Sequence, residues 1–125
     1  MSSVAPRTMT HDDRMFTHAQ QVPNTLLGYA TTGRDPGAGW MRDVEGGAKA
    51  VVGTMNAQNV ANTLWAYARM GREPGAGLMR ELEGRAEALA GTFNAQGVAN
   101  TLWAYATMGR EPGVGMRKAR EGAAS

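Results

Sequence analysis

Few side chains in this sequence have types and spacing suited to chemistry. His11 and His18 are the only histidines, with Asp12 and Asp13 between them. A metal site needs converging ligands on a rigid frame, and this segment reads as mobile, so no metal is expected. Serines and threonines occur without a base spaced to activate them, and the carboxylates are interleaved with arginines. There is no cysteine, which excludes disulfides, thiolate zinc sites and thiol catalysis. No glycine-rich phosphate loop follows a strand. The Gly-x-Gly at Gly75 and Gly77 opens a helix, where an anion can settle, but the turn it makes is reason enough for its glycines. No acid, base and nucleophile come together, so the expectation is a binding protein with no cofactor and no enzymatic activity.

What remains is a polar stripe that recurs. Asn59, Asn62, Ala66 and Arg69 fall at spacings of three, four and three, which on a helix is one face. The corresponding stripes are Gln21, Asn24, Gly28 and Thr31, then Gly97, Asn100, Ala104 and Thr107. Side-chain amides both donate and accept hydrogen bonds, which suits reading the edges of unstacked bases. Asn24, Asn62 and Asn100 never change; they fit either an amide ladder bonding one repeat to the next or a contact common to every ligand unit. The positions that change are Gln21, Asn59 and Gly97, then Thr31, Arg69 and Thr107. A modular reader varies at such positions, and so does an exposed face free to drift. Arg34, Arg72 and Arg110 follow the three stripes, placed either to touch phosphates or to complement the negative end of a helix dipole.

A repeat positions these residues. The phrase Asn-Ala-Gln-x-Val-Ala-Asn-Thr-Leu-Trp-Ala-Tyr-Ala-x-Met-Gly-Arg-Glu-Pro-Gly runs from Asn56 to Gly75 and again from Asn94 to Gly113, with a worn copy from His18 to Gly37. Residues 55–75 and 93–113 agree at 18 of 21 positions, and the offset is 38 residues throughout. A fixed period of this size marks stacked helix pairs. The reading is all-α: a short, right-handed α-solenoid of two to three antiparallel helical hairpins. Repeats span about 17–54, 55–92 and 93–122, after a disordered tail at 1–15 and before a frayed end at 123–125.

Within the second repeat, Asn56 is a good N-cap and a helix is expected from about Ala57 to Met70. Val60, Leu64 and Tyr67 share one line of it; Ala61, Trp65 and Ala68 share the next. The tryptophans and tyrosines at 65, 67, 103 and 105 are therefore expected in the core, with Leu102 and Trp103 left partly uncovered where no C-terminal cap follows. Gly71 is placed to end the helix in a left-handed cap, Pro74 pre-sets its own dihedral, and Gly75 permits a positive one. A second helix is expected from about Leu78 to Ala90 with Leu78, Leu82, Ala86 and Leu89 as its apolar stripe. Trp40, Val44, Ala48 and Val51 form the equivalent stripe in the first repeat, whose first helix is expected to start near Pro23. The third repeat's second helix, around Met116 to Arg120, is short and basic.

Thirteen Lys and Arg against eleven Asp and Glu leave a net charge of +2, too weak a bias to indicate nucleic acid unaided. No apolar run is long enough to span a bilayer, so no membrane partner is expected. The phrase as it stands at 94–106 resembles the octotricopeptide repeats of green algae and is similar to repeats found in organelle proteins that carry an RNA-associated RAP domain. The resemblance covers roughly residues 17 to 122. It implies an α-solenoid that binds single-stranded RNA, an organelle transcript, along its first helices. It also implies a role in post-transcriptional control of stability, processing or translation, mostly in the chloroplast. The alternative is a protein-interaction scaffold, self-associating through an uncovered C-terminal repeat, or a fragment of a longer repeat array.

Overall fold

The structure, a computed structural model, describes Phe16, residues 18–33, residues 37–112 and Arg117. His11, Arg34, the tail, most of the last basic helix and the C-terminal end lie outside the described residues. The described residues form five α-helices and two short 3-10 turns and contain no strand. Helix α1 is Gln21–Thr32, α2 Ala38–Val51, α3 Ala57–Arg69, α4 Ala76–Ala88 and α5 Ala95–Met108; the 3-10 turns Val52–Thr54 and Ala90–Thr92 follow α2 and α4. Helix α3 packs against both α1 and α5, and α2 packs against α4.

The buried residues recur at the 38-residue offset because each helix must bury the same stripe. Val22, Val60 and Val98 are buried, as are Leu26 and Leu64, and Tyr67 and Tyr105. On the second helices the expected stripe is buried at Val44 and Ala48, then at Leu78, Leu82 and Ala86, while Trp40, Val51 and Leu89 are half-buried at its edges. Full burial of a leucine or valine contributes about 1.5–3 kcal/mol. Thr63 and Thr101 are buried too. Their hydroxyls donate to the carbonyls of Asn59 (2.6 Å) and Gly97 (2.8 Å), one turn back, so neither polar group is left unsatisfied.

The helix ends explain where the sequence stops each element. Gly71 and Gly109 both adopt φ of +73°. At each, the following arginine N–H reaches back to a tyrosine carbonyl, Arg72 to Tyr67 at 3.0 Å and Arg110 to Tyr105 at 2.9 Å. These are paired C-terminal bonds that only an αL residue permits cheaply. Helix α1 starts at Gln21, two residues before Pro23. The first N–H groups of a helix have no intrahelical partner, so proline as the third residue removes nothing, and a tighter turn leads in through Gln21 N–H to His18 O (3.1 Å).

Helix α4 begins two residues earlier than expected, because Gly75 serves as its N-cap in an extended conformation (φ −60°, ψ 161°). The expectation of a positive dihedral at Gly75 is therefore corrected. A Cβ there would stand 2.6 Å from a carboxylate oxygen of Glu45, whose side chain would have to shift.

That carboxylate ties one hairpin to the next. Glu45 on α2 accepts the Gly75 N–H at 3.1 Å and the Tyr67 hydroxyl at 3.4 Å. Glu83 on α4 accepts the Tyr105 hydroxyl at 2.7 Å. In the second and third repeats the tyrosine of the first helix thus donates to the preceding second helix. Within the second repeat, Arg85 ties α4 back to the residues before α3, donating to the Met55 carbonyl at 2.8 Å. Burial, and then the neighbouring Glu45, push the Tyr67 phenol far above its ordinary value of 10.0; burial and then the bond to Glu83 do the same for Tyr105.

The folded state therefore holds these protons more tightly than the unfolded chain. Their contribution is complete below pH 10 and is lost as the pH climbs from there towards the folded values. Urea unfolding between neutral and strongly alkaline pH should show stability falling above about pH 10. The doubly substituted Tyr67→Phe, Tyr105→Phe protein should lose about 1 kcal/mol per bond at neutral pH and show a shallower alkaline decline.

Candidate nucleic-acid interface

The variable amide position is the first to be reassigned. Asn59 was expected to face a ligand, but it is only 9% exposed. Its Oδ1 accepts the Asn56 N–H at 3.1 Å while Asn56 Oδ1 accepts the Asn59 N–H at 2.7 Å. This reciprocal capping box satisfies two orphan donors at the start of α3. Gln21 stands at the same register and also reaches back, its Oε1 accepting the His18 N–H at 3.0 Å. In the third repeat Gly97 has no side chain to reach with, and only the forward bond remains, Gly97 N–H to Asn94 Oδ1 at 2.7 Å. Variation at 21, 59 and 97 is thus variation in helix capping.

The exposed stripe of α3 is displaced around the helix from the expected one. Ala66 and Ala104 are fully buried, because small residues let neighbouring helices approach. The outward face of α3 carries Gln58, Asn62, Trp65 and Arg69, and that of α5 carries Gln96, Asn100, Trp103 and Thr107. Trp65, expected in the core, is half-buried, and Trp103, expected to be partly uncovered at the C-terminal end, is 44% exposed. Their rings meet across the α3–α5 seam with centroids 6.2 Å apart and planes inclined at 39°, and the Arg69 guanidinium lies 5.4 Å from the Trp65 ring centre. The first repeat has Leu27 at this position, so the aromatic pair belongs to the second and third repeats alone. Tyr67 and Tyr105, by contrast, are core as expected.

Between the N-terminal halves of α3 and α5 lies an open cleft of about 430 Å³. Its walls include Gln58 and Asn62 from α3, and Gln96 and Asn100 from α5, with the cap residues Asn56 and Asn94 at its end. Sequence reasoning anticipated Asn62, Asn100 and Gly97 here and missed Gln58 and Gln96, whose only signal was their place one turn before the invariant asparagines. Among the described residues no side-chain bond joins Asn62 to Asn100, so they form no amide ladder across this seam. Asn24 is exposed on α1.

The remaining candidates are scattered. Thr31 is exposed but its hydroxyl bonds back to the Leu27 carbonyl at 2.9 Å. Thr107 is exposed beside a smaller recess that includes Arg72 and Glu73. Arg110, expected to touch phosphate, forms an exposed ion pair with Glu73 of the preceding repeat at 2.9 Å. Arg72 is half-buried. Among the described residues no helix is long and apolar enough to cross a membrane, and no three His, Cys, Asp or Glu side chains gather as a metal site.

Two substitutions separate capping from surface roles. Asn59→Ala should lower stability in urea unfolding by about 1 kcal/mol through loss of the capping box. Trp103→Ala should fall well short of the about 3–5 kcal/mol that a buried tryptophan would cost. No protein-family model, curated protein or solved structure matches this chain.

Proposed function

We propose that this chain is a short, non-catalytic α-solenoid with a 38-residue period that binds single-stranded RNA along the outward face of its first helices. We place it in post-transcriptional control within an organelle, the chloroplast in the first instance. The observation that carries the reading is the Trp65–Trp103 pair, held 6.2 Å apart on the surface with Arg69 against one ring. Folding gains little from leaving two large aromatic side chains in contact with water, whereas a base stacked on an aromatic ring is worth about 1–3 kcal/mol. On the same face Asn62 and Asn100 supply donors and acceptors for base edges, and the exposed Arg69 supplies a cation near a backbone phosphate. The organelle assignment rests on the octotricopeptide-like phrase alone.

Fluorescence anisotropy with short labelled single-stranded RNAs tests this. Binding should weaken between about 50 and 200 mM salt, with a shallow slope near −0.7 per phosphate contacted. The double variant Trp65→Ala, Trp103→Ala should bind about tenfold or more weakly while keeping its helical circular dichroism. RNA binding that is absent in the folded protein, or untouched by the tryptophan changes, contradicts the reading. Salt-insensitive capture of an extended peptide in its place would indicate a protein scaffold.

A further inference from the structure

We infer that the cleft between α3 and α5 is a pocket for a single nucleobase, and that Gly97 is the residue that opens it. This rests on the RNA-binding reading and goes beyond it by assigning one nucleotide subsite to one seam.

The chemistry of the walls selects the ligand. The cleft is lined by amides, small residues and Phe93, with no Lys, Arg, Asp or Glu among its lining residues. Such walls place no cation beside a phosphate and offer a neutral, planar group with hydrogen-bonding edges many donors and acceptors. The Oδ1 of Asn94 and of Asn56 are already engaged by the N–H groups of Gly97 and Asn59. The amides of Asn62 and Asn100 therefore carry the readout, lining the same cleft from α3 and α5 together with Gln58 and Gln96. Trp65 and Trp103 follow these asparagines by three residues on their helices and meet across the same seam. A base held by the asparagines thus has an aromatic surface next to it for its neighbour in the strand. A volume of about 430 Å³ lies at the small end of ligand sites and matches one base with part of its ribose better than a run of several.

Gly97 controls the opening. A Cβ at this position would lie 3.2 Å from Asn94 Oδ1, 3.5 Å from Phe93 Cδ2 and 3.8 Å from Ala61 Cβ, and all three of those residues line the cleft. A side chain at 97 therefore grows into its floor. The equivalent residue in the second repeat, Asn59, is buried and folds back onto its cap. Helix α5 lacks the reciprocal half of the capping box and carries a glycine in its first turn, both unfavourable to the helix. What the third repeat has in exchange is room.

The test is Gly97→Asn, which copies the second repeat at this position and so restores the capping box. Its thermal unfolding midpoint should equal or exceed that of the parent protein. Its affinity for single-stranded RNA should fall about tenfold, and the differences in binding among oligo(A), oligo(C), oligo(G) and oligo(U) should collapse. Asn100→Ala, which empties a wall without filling the floor, provides the second probe and should flatten the same base preference. If the parent protein binds RNA and both variants retain its affinity and its preference, the cleft is not a base pocket, although the RNA reading stands. If the parent protein binds none of the four oligonucleotides, the RNA reading fails and this subsite fails with it.

Discussion

Helix α3 has neighbours on two sides, α1 and α5, and also contacts α4 behind it. This crowding is the constraint on which the rest of the structure depends. A helix so enclosed has one narrow face left for solvent. The flanks must be small for the axes to come close, which is why Ala57, Ala61, Ala66 and Ala68 are buried there beside Val60, Leu64 and Tyr67. Residues too large for the seams and too polar for the interior are driven to the remaining face, and those residues are Gln58, Asn62, Trp65 and Arg69. The candidate site is thus a consequence of packing: the fold leaves one strip uncovered, and the sequence fills it with amides, an indole and a guanidinium.

The same economy of contacts governs how hairpins join. Hydrogen bonds from Tyr67 and Tyr105 to Glu45 and Glu83 cross from one hairpin to the one before, at the repeat offset. Both phenols are buried, so each needs a partner, and the preceding second helix supplies it: Glu45 for Tyr67, and Glu83 with the Met79 sulfur for Tyr105. Glu45 does a second task by capping α4 through Gly75, which couples the start of a second helix to the seating of its own first helix. These bonds are directional where apolar burial is not, and they add to the register that the packing of α3 on α1 and α5 sets.

Much of the fold was legible because helical periodicity and end signals are local. The stripe Leu78, Leu82, Ala86, the cap at Asn56 and the left-handed stop at Gly71 depend on spacing alone, and all stand where the sequence places them. The tryptophans were illegible for the opposite reason. Periodicity says that Trp65 lies on an apolar arc with Ala61 and Ala68; it does not say which part of the arc meets a neighbour and which meets water. That is decided by how closely α1 and α5 approach, a property of the alanines in the seams. Asn59 misled in a similar way. An amide three residues after an asparagine is at once an exposed polar residue of a helix and the returning arm of a capping box, and only the backbone geometry at Asn56 separates the two. Gly75 looked like a turn glycine, and its N–H to Glu45, a residue thirty positions earlier, was invisible to any local rule.

The three tryptophans give the most direct view of the central claim, that the uncovered strip of the first helices is where RNA lies. Trp65 and Trp103 sit on that strip, whereas Trp40 stacks on Tyr29 with centroids 4.7 Å apart and belongs to the second helix of the first repeat. In a nuclear magnetic resonance titration with single-stranded RNA, the indole N–H signals of Trp65 and Trp103 and the side-chain amides of Asn62 and Asn100 should move together, with the Trp40 indole unmoved. Shifts confined to Trp40 and the second helices, or no shifts at all in a folded protein, would contradict it.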